Sequence, residues 1–267
     1  MKLSIVLSTQ PASFSALAYQ GQLAENLRKI NDLGYDGVEL AVRDPNALNV
    51  PELDALLEET GLVVPALGTG QAYGEEGLSF TDPDISVRKK AVKRIKSHIK
   101  LAAKLNAKVI IGLIRGKSAK NIRHLQSEDW LVESLSECAS TDRSVQLAIE
   151  PINRYETDLI NTVVQGLGLL ERIKMENVGL LLDTFHMNIE EPSLCESILA
   201  GRDRLFHFHI ADSNRWYPGA GHIDFIQVYS LLDRMKYNGF VSAEILPLPD
   251  PDIATIKTIR HFRHFSN

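Results

Sequence analysis

The stretch LLLDTFHMNIEE, residues 180–191, poses the question on which the fold turns. Its first half reads as a buried strand. A structural strand has no need to end in Asp183, with His186 three residues on and a polar, acidic run after it. In a parallel barrel, however, the C-terminal end of a strand is where chemistry sits. The fold class therefore depends on whether the rest of the chain supplies such a barrel.

Reading outward from this stretch, short apolar runs alternate with longer amphipathic ones. The strand candidates are KLSIVLS (2–8), GVELAV (37–42) within GYDGVELAV, GLVVPALG (61–68), KVIIGLI (108–114), SVQLAIE (144–150), VGLLLD (178–183), LFHFHIAD (205–212) and GFVSAEI (239–245). Between them the pattern predicts helices over 22–33, from 50 with Pro51 in the first turn, over 82–107 capped by Asp82 or Asp84, and over 127–140, 161–173, 193–200 and 223–235. A last helix begins near Asp252. Strands that alternate with helices pair in parallel, because each crossover needs a helix. Eight such units in 267 residues match a closed (β/α)8 TIM barrel, read here as a single domain over 1–267. GTGQAYG (68–74) resembles a phosphate loop only faintly and reads as a loop with no prompt helix after it.

Bulk properties exclude several function classes. The net charge is −5 with no clustered basic tract beyond one helix face, which argues against nucleic acid as a partner. A hydrophobic fraction of 44% supports a large core. Two cysteines, Cys138 and Cys195, are too few for a disulfide framework and point to a reducing, cytoplasmic setting. The apolar run at the N-terminus is too short for a signal peptide, and no run approaches the roughly 20 apolar residues of a membrane helix.

If the barrel closes, four neighbouring strand ends converge: Glu150, Asp183, His209 and Glu244. Three carboxylates and one imidazole suit a divalent cation such as Mn²⁺, Mg²⁺ or Co²⁺. Without a cation, such acids would be forced far from their ordinary pKa values. Strand alternation puts His207 one layer below His209, where it reads as a hydrogen-bonded core residue. Arg43 and Arg115 follow two further strands and are expected to rim the same mouth, where an arginine would favour an acidic substrate. Met187 and Ile189 read as wall or packing.

The segments EPINRYE (150–156), DTFHMNIEE (183–191), HIADSNRWYPGAG (209–221) and AEI (243–245) carry a family resemblance. With MKLSIVLST at the start, the chain resembles, over its whole length, the xylose-isomerase-like barrels and within them the ketose 3-epimerases of the tagatose and psicose type. TGQAYGEEGLSF and ADSNRW look closest to the 5-keto-L-gluconate epimerase branch. The resemblance implies that Glu150, Asp183, His209 and Glu244 hold the metal. It also implies that Glu150 and Glu244 form the acid/base pair and that Glu156, His186 and Arg215 bind a small sugar or sugar acid. Assembly as a homodimer or homotetramer is implied as well.

The expected activity is thus inversion of the carbon next to the ketone of a ketose or keto-sugar acid. Removing that proton requires a stabilised enediolate, and inversion requires proton transfer on both faces, which two carboxylates can supply. An aldose-ketose or hydroxypyruvate-type isomerase would use the same residues. A barrel that binds sugar without catalysis would have no use for the two carboxylates. An abasic-site endonuclease would need further histidines where this chain reads LGTG and GLIR, and a different charge.

Overall fold

The computed structural model describes residues 1–266. Nine strands are present: β1 (Lys2–Ser8), β2 (Tyr19–Gln20), β3 (Gly37–Ala41), β4 (Ala66–Gly68), β5 (Lys108–Ile111), β6 (Leu147–Ile149), β7 (Val178–Asp183), β8 (Leu205–Ile210) and β9 (Phe240–Ala243). The helices are α1 (Leu23–Asp32), α2 (Val50–Thr60), α3 (Gln71–Glu76), α4 (Ile85–Leu105), α5 (His124–Ala139), α6 (Val163–Ile173), α7 (Thr184–Glu190), α8 (Leu194–Gly201), α9 (Phe225–Arg234) and α10 (Pro251–Ser266). The strands pair in parallel in the order β1-β3-β4-β5-β6-β7-β8-β9, and β9 pairs back to β1. Eight strands therefore close a barrel, with helices in every crossover. The two-residue β2 pairs with the C-terminal end of β1 at Leu7 and Ser8, past the residues that β9 takes.

Local chemistry sets the boundaries. Asn49 caps α2, with Pro51 in the first turn, where a missing amide costs nothing. Asp84 is the residue that caps α4, its Oδ1 accepting from the Ser86 amide at 2.7 Å. Thr162 and Gln165 form a reciprocal capping box that starts α6. The predicted strand over 61–68 shrinks to Ala66–Gly68, because Pro65 has no amide to donate to a ladder. Val63 still bridges Gly37. Two short helices depart from the expectation: α3 begins within GTGQAYG, and α7 begins directly after Asp183. At six and seven residues, both are too short to show a helical period in the sequence.

The apolar core is an annulus between sheet and helices, built from residues such as Leu27, Ile95, Leu135, Leu182 and Phe208. The barrel interior holds a smaller cluster of Ala66, Ile110, Ala148 and Leu181. Opposite the break between Leu180 and Leu181, β8 carries one extra residue, Phe206. Phe206 lies over Gly179, where an added Cβ would stand 2.6 Å from both the Phe206 ring and the Arg204 carbonyl. Gly179→Ala is therefore expected to destabilise the protein by about 1–3 kcal/mol, read as a lower urea midpoint with unchanged slope.

Candidate metal centre and active site

The C-terminal ends of the strands surround a cavity of about 190 Å³. Glu150 follows β6, Asp183 ends β7, His209 lies in β8 opposite Asp183, and Glu244 follows β9. One ligand atom from each of these four residues lies within 4.8 Å of the others. His209 Nδ1 is 3.8 Å from Asp183 Oδ2 and 3.9 Å from Glu150 Oε1. All three of those atoms are buried and have no hydrogen-bond partner among the described residues. Buried polar atoms are rarely left so, because each costs on the order of 1–3 kcal/mol. A divalent cation would satisfy all three together, so the residues fit the metal that the strand ends imply.

Asp183 shows how a few residues serve several ends. Its Oδ1 accepts from the Phe185 amide at 2.7 Å and caps α7, while its Oδ2 faces the cluster. The helix it starts carries His186 into the cavity wall, one turn on. Asn153 donates to His186 Nδ1 at 2.8 Å, which leaves the ring proton on Nε2, 3.6 Å from Glu150 Oε1. Asn153 also donates to Glu156 at 3.0 Å. Arg215 then links Glu156, at 3.0 Å, to Glu244, at 2.7 Å. Its guanidinium lies over the rings of Phe14 and Phe185, 5.1 and 4.8 Å from their centroids. Contact with two aromatic rings helps to hold an arginine fork in place.

The electrostatics follow from this crowding. Burial, then the neighbouring Glu244, pushes the Glu150 carboxyl well above its usual range. Burial also raises Asp183 and Glu244, against the pull of His209 and Arg215. Burial and the cations Arg215 and Arg115 hold His186 well below the usual imidazole range, so it is neutral. Burial opposes charge on His209, but Glu39, Glu244 and Glu150 outweigh it and push that ring up to about 10.

Seven of the nine residues expected at the site are brought together: Glu150, Glu156, His186, His209, Arg215 and Glu244 line one cavity, with Asp183 behind its wall. Arg43 and Arg115 are not. Arg43 is half-exposed and lies 3.9 Å from Glu76, outside the cavity lining. Arg115 is fully buried in a short 3-10 turn (Leu113–Arg115), not at the rim. It donates to the Glu150 and Ile160 carbonyls and so braces the segment that carries Glu150. Burial pulls its pKa down to about 10, with Glu150 and Glu156 opposing. The reason is local: Gly112 and Gly116 bend the chain after β5 and turn the side chain inward. His207 is a hydrogen-bonded interior residue, as expected, and Met187 packs in the core.

Other site residues went unmarked in the sequence. Glu39 is buried in β3 and bonded to both His207 and His209. A carboxylate inside the apolar run GVELA was a visible signal. Asn153, Phe14 and Phe185 gave none, since their roles depend on contacts between distant segments.

Comparison with known proteins agrees with this geometry. The sequence profile described as xylose isomerase-like TIM barrel matches residues 27–263. An L-ribulose 3-epimerase of Methylomonas sp. (strain DH-1) is 32% identical over 243 residues, covering 88% of this chain and 83% of that protein. A 3-dehydro-D-guloside 4-epimerase of Escherichia coli K12 is 29% identical over 253 residues, covering 89% and 91%. The solved D-psicose 3-epimerase of Clostridium cellulolyticum H10 with D-tagatose superposes with a TM-score of 0.83 at 25% identity, covering 99% of each chain.

Three expected outcomes follow from the site. Divalent cation at about 100 times its Kd should stabilise the protein by about 2.7 kcal/mol, or roughly 5–10 °C in Tm, and Asp183→Asn should abolish most of that shift. A carboxylate whose folded pKa is raised contributes stability that is present below its ordinary pKa and lost as pH rises through the folded value. Metal-free protein should therefore lose stability from the ordinary carboxylate range toward neutrality, and the cation's effect on Tm should grow over the same interval. Arg115→Ala should lower stability by more than about 2 kcal/mol and reduce turnover of neutral and acidic sugars alike, as read by denaturant titration and a paired assay. By sequence and by structure, the chain belongs to the xylose isomerase-like TIM-barrel family and is an enzyme of the sugar-epimerase class.

Proposed function

We propose that this enzyme is a divalent-metal-dependent epimerase that inverts the carbon next to the ketone of a ketose or keto-sugar acid. The observation that carries the reading is the clustering of two cavity carboxylates, Glu150 and Glu244, with Asp183 and His209, each of which keeps an unpartnered buried atom. The relatives' names support it: a ketose 3-epimerase and a 3-dehydro-sugar 4-epimerase both act one carbon from a carbonyl.

A proton next to a ketone is weakly acidic, and its loss leaves an enediolate. A bound divalent cation, held by Glu150, Asp183, His209 and Glu244, supplies Lewis-acid stabilisation of that charge. Mn²⁺ is the proposed ion, with Mg²⁺ or Co²⁺ able to replace it. One of Glu150 and Glu244 takes the proton from one face of the carbon, and the other returns a proton to the opposite face. Burial keeps both basic enough for this exchange. His186, neutral and with Nε2 carrying the proton, donates a hydrogen bond to a substrate oxygen. Arg215 holds Glu156 and Glu244 in place while offsetting negative charge. Phe14, Leu113 and Ile152 line the cavity and exclude water from the reacting carbon.

Because Arg43 and Arg115 stand outside the cavity, they do not select an acidic substrate. The sugar is placed by its ketone and hydroxyl oxygens. The two free cysteines support a cytoplasmic setting. A homodimer or homotetramer belongs to the same proposal and is checked by light scattering. The reaction is tested in deuterated water with a panel of neutral ketoses and keto-aldonates. Exchange should appear at the carbon next to the ketone, with the epimer as product. Aldose as the product, with exchange at the terminal carbon, would establish an isomerase instead. Glu150→Gln and Glu244→Gln should each slow epimerisation by at least about 100-fold at matched metal content.

A further inference from the structure

Among the described residues, a second group has the spacing of cation ligands: Glu39, His207 and His209. All three are buried, with Glu39 reaching from β3 across the barrel interior to two residues of β8. His207 Nε2 lies 2.7 Å from Glu39 Oε2, and His209 Nε2 lies 3.0 and 3.1 Å from its two oxygens. An ionised carboxylate only accepts hydrogen bonds, so both imidazoles must carry a proton on Nε2. A cation seated among these three would have to displace both protons and break every bond they make. In the first cluster, by contrast, the facing atoms have no partner.

The consequence falls on His209. With one proton held on Nε2, the proton a cation displaces is the one on Nδ1, and the lone pair so freed faces Asp183 Oδ2 and Glu150 Oε1. We propose that Glu39 is the positioning residue of the metal centre: its carboxylate fixes the tautomer and ring orientation that make His209 Nδ1 a ligand. His207, the other donor to Glu39, holds that carboxylate in register and binds no metal. This inference rests on the metal-centre reading above. Groups that orient a metal-bound imidazole in this way commonly change metal affinity by about 10- to 100-fold when altered.

The test is calorimetric titration of metal-free protein with Mn²⁺, together with nitrogen-15 NMR of histidine rings in the Mg²⁺-loaded wild type. Wild type should bind one Mn²⁺ per chain at the cavity. Glu39→Gln should weaken that binding by about 10- to 100-fold with an unchanged circular-dichroism spectrum, and Glu39→Asp should recover part of the loss. The NMR experiment should find His209 protonated on Nε2 and not on Nδ1. Equal Mn²⁺ affinity in folded Glu39→Gln would overturn the proposal. So would a proton on Nδ1 in the loaded wild type, which can be read even where the variants fail to fold. Two Mn²⁺ per wild-type chain, falling to one in Glu39→Gln, would make Glu39 a ligand of a second site and overturn it equally. A wild type that binds no Mn²⁺ would overturn both this proposal and the metal-centre reading.

Discussion

Like charges held together out of water repel strongly, and the open end of this barrel gathers Glu150, Asp183 and Glu244 into one buried cluster. Barrel closure makes the convergence unavoidable, because residues at the ends of β6, β7 and β9 all face one axis. Much of the surrounding structure can be understood as compensation. Arg215 takes Glu244 and Glu156, His209 faces the remaining oxygens, and Asp183 spends one oxygen on the helix it caps. Compensation remains incomplete at Glu150 Oε1, Asp183 Oδ2 and His209 Nδ1, where both carboxylate oxygens lie within 4 Å of the ring nitrogen, a grouping that suits a cation.

The surrounding polar chain is continuous. Glu156 accepts from Asn153 and Arg215, Asn153 sets the His186 tautomer, and His186 faces Glu150. From below, Arg115 holds the Glu150 backbone and Glu39 holds His209. Each of these side chains is thus fixed by a neighbour from another segment of the chain. Such networks are rigid when every member is satisfied, and the proposed reaction needs that rigidity to hold two acids on either side of one carbon.

Much of this was legible from residues alone. Alternating runs announce the barrel, and the ends of four successive strands present Glu150, Asp183, His209 and Glu244. Arg115 shows where such reading stops. It follows a strand end just as the candidate ligands do, yet the turn between Gly112 and Gly116 folds it inward, and it serves as a brace. Glu39 is the reverse case. It sits within a strand whose neighbours are apolar, and only the partner histidines across the barrel explain why a carboxylate is tolerated there.

In LLLDTFHMNIEE, the leucines and the acid at their end depend on local period and residue type, so the strand and the candidate ligand follow from sequence. The capping role of Asp183, the helix that carries His186 and the contact of Phe185 with Arg215 do not. They arise from contacts between segments far apart in the chain. Residue type and spacing determined the fold and the candidate ligand set, because both repeat with the strands. Tertiary structure alone decided which nitrogen faces the cluster and which arginine reaches the cavity, because orientation is set by partners that no local pattern records.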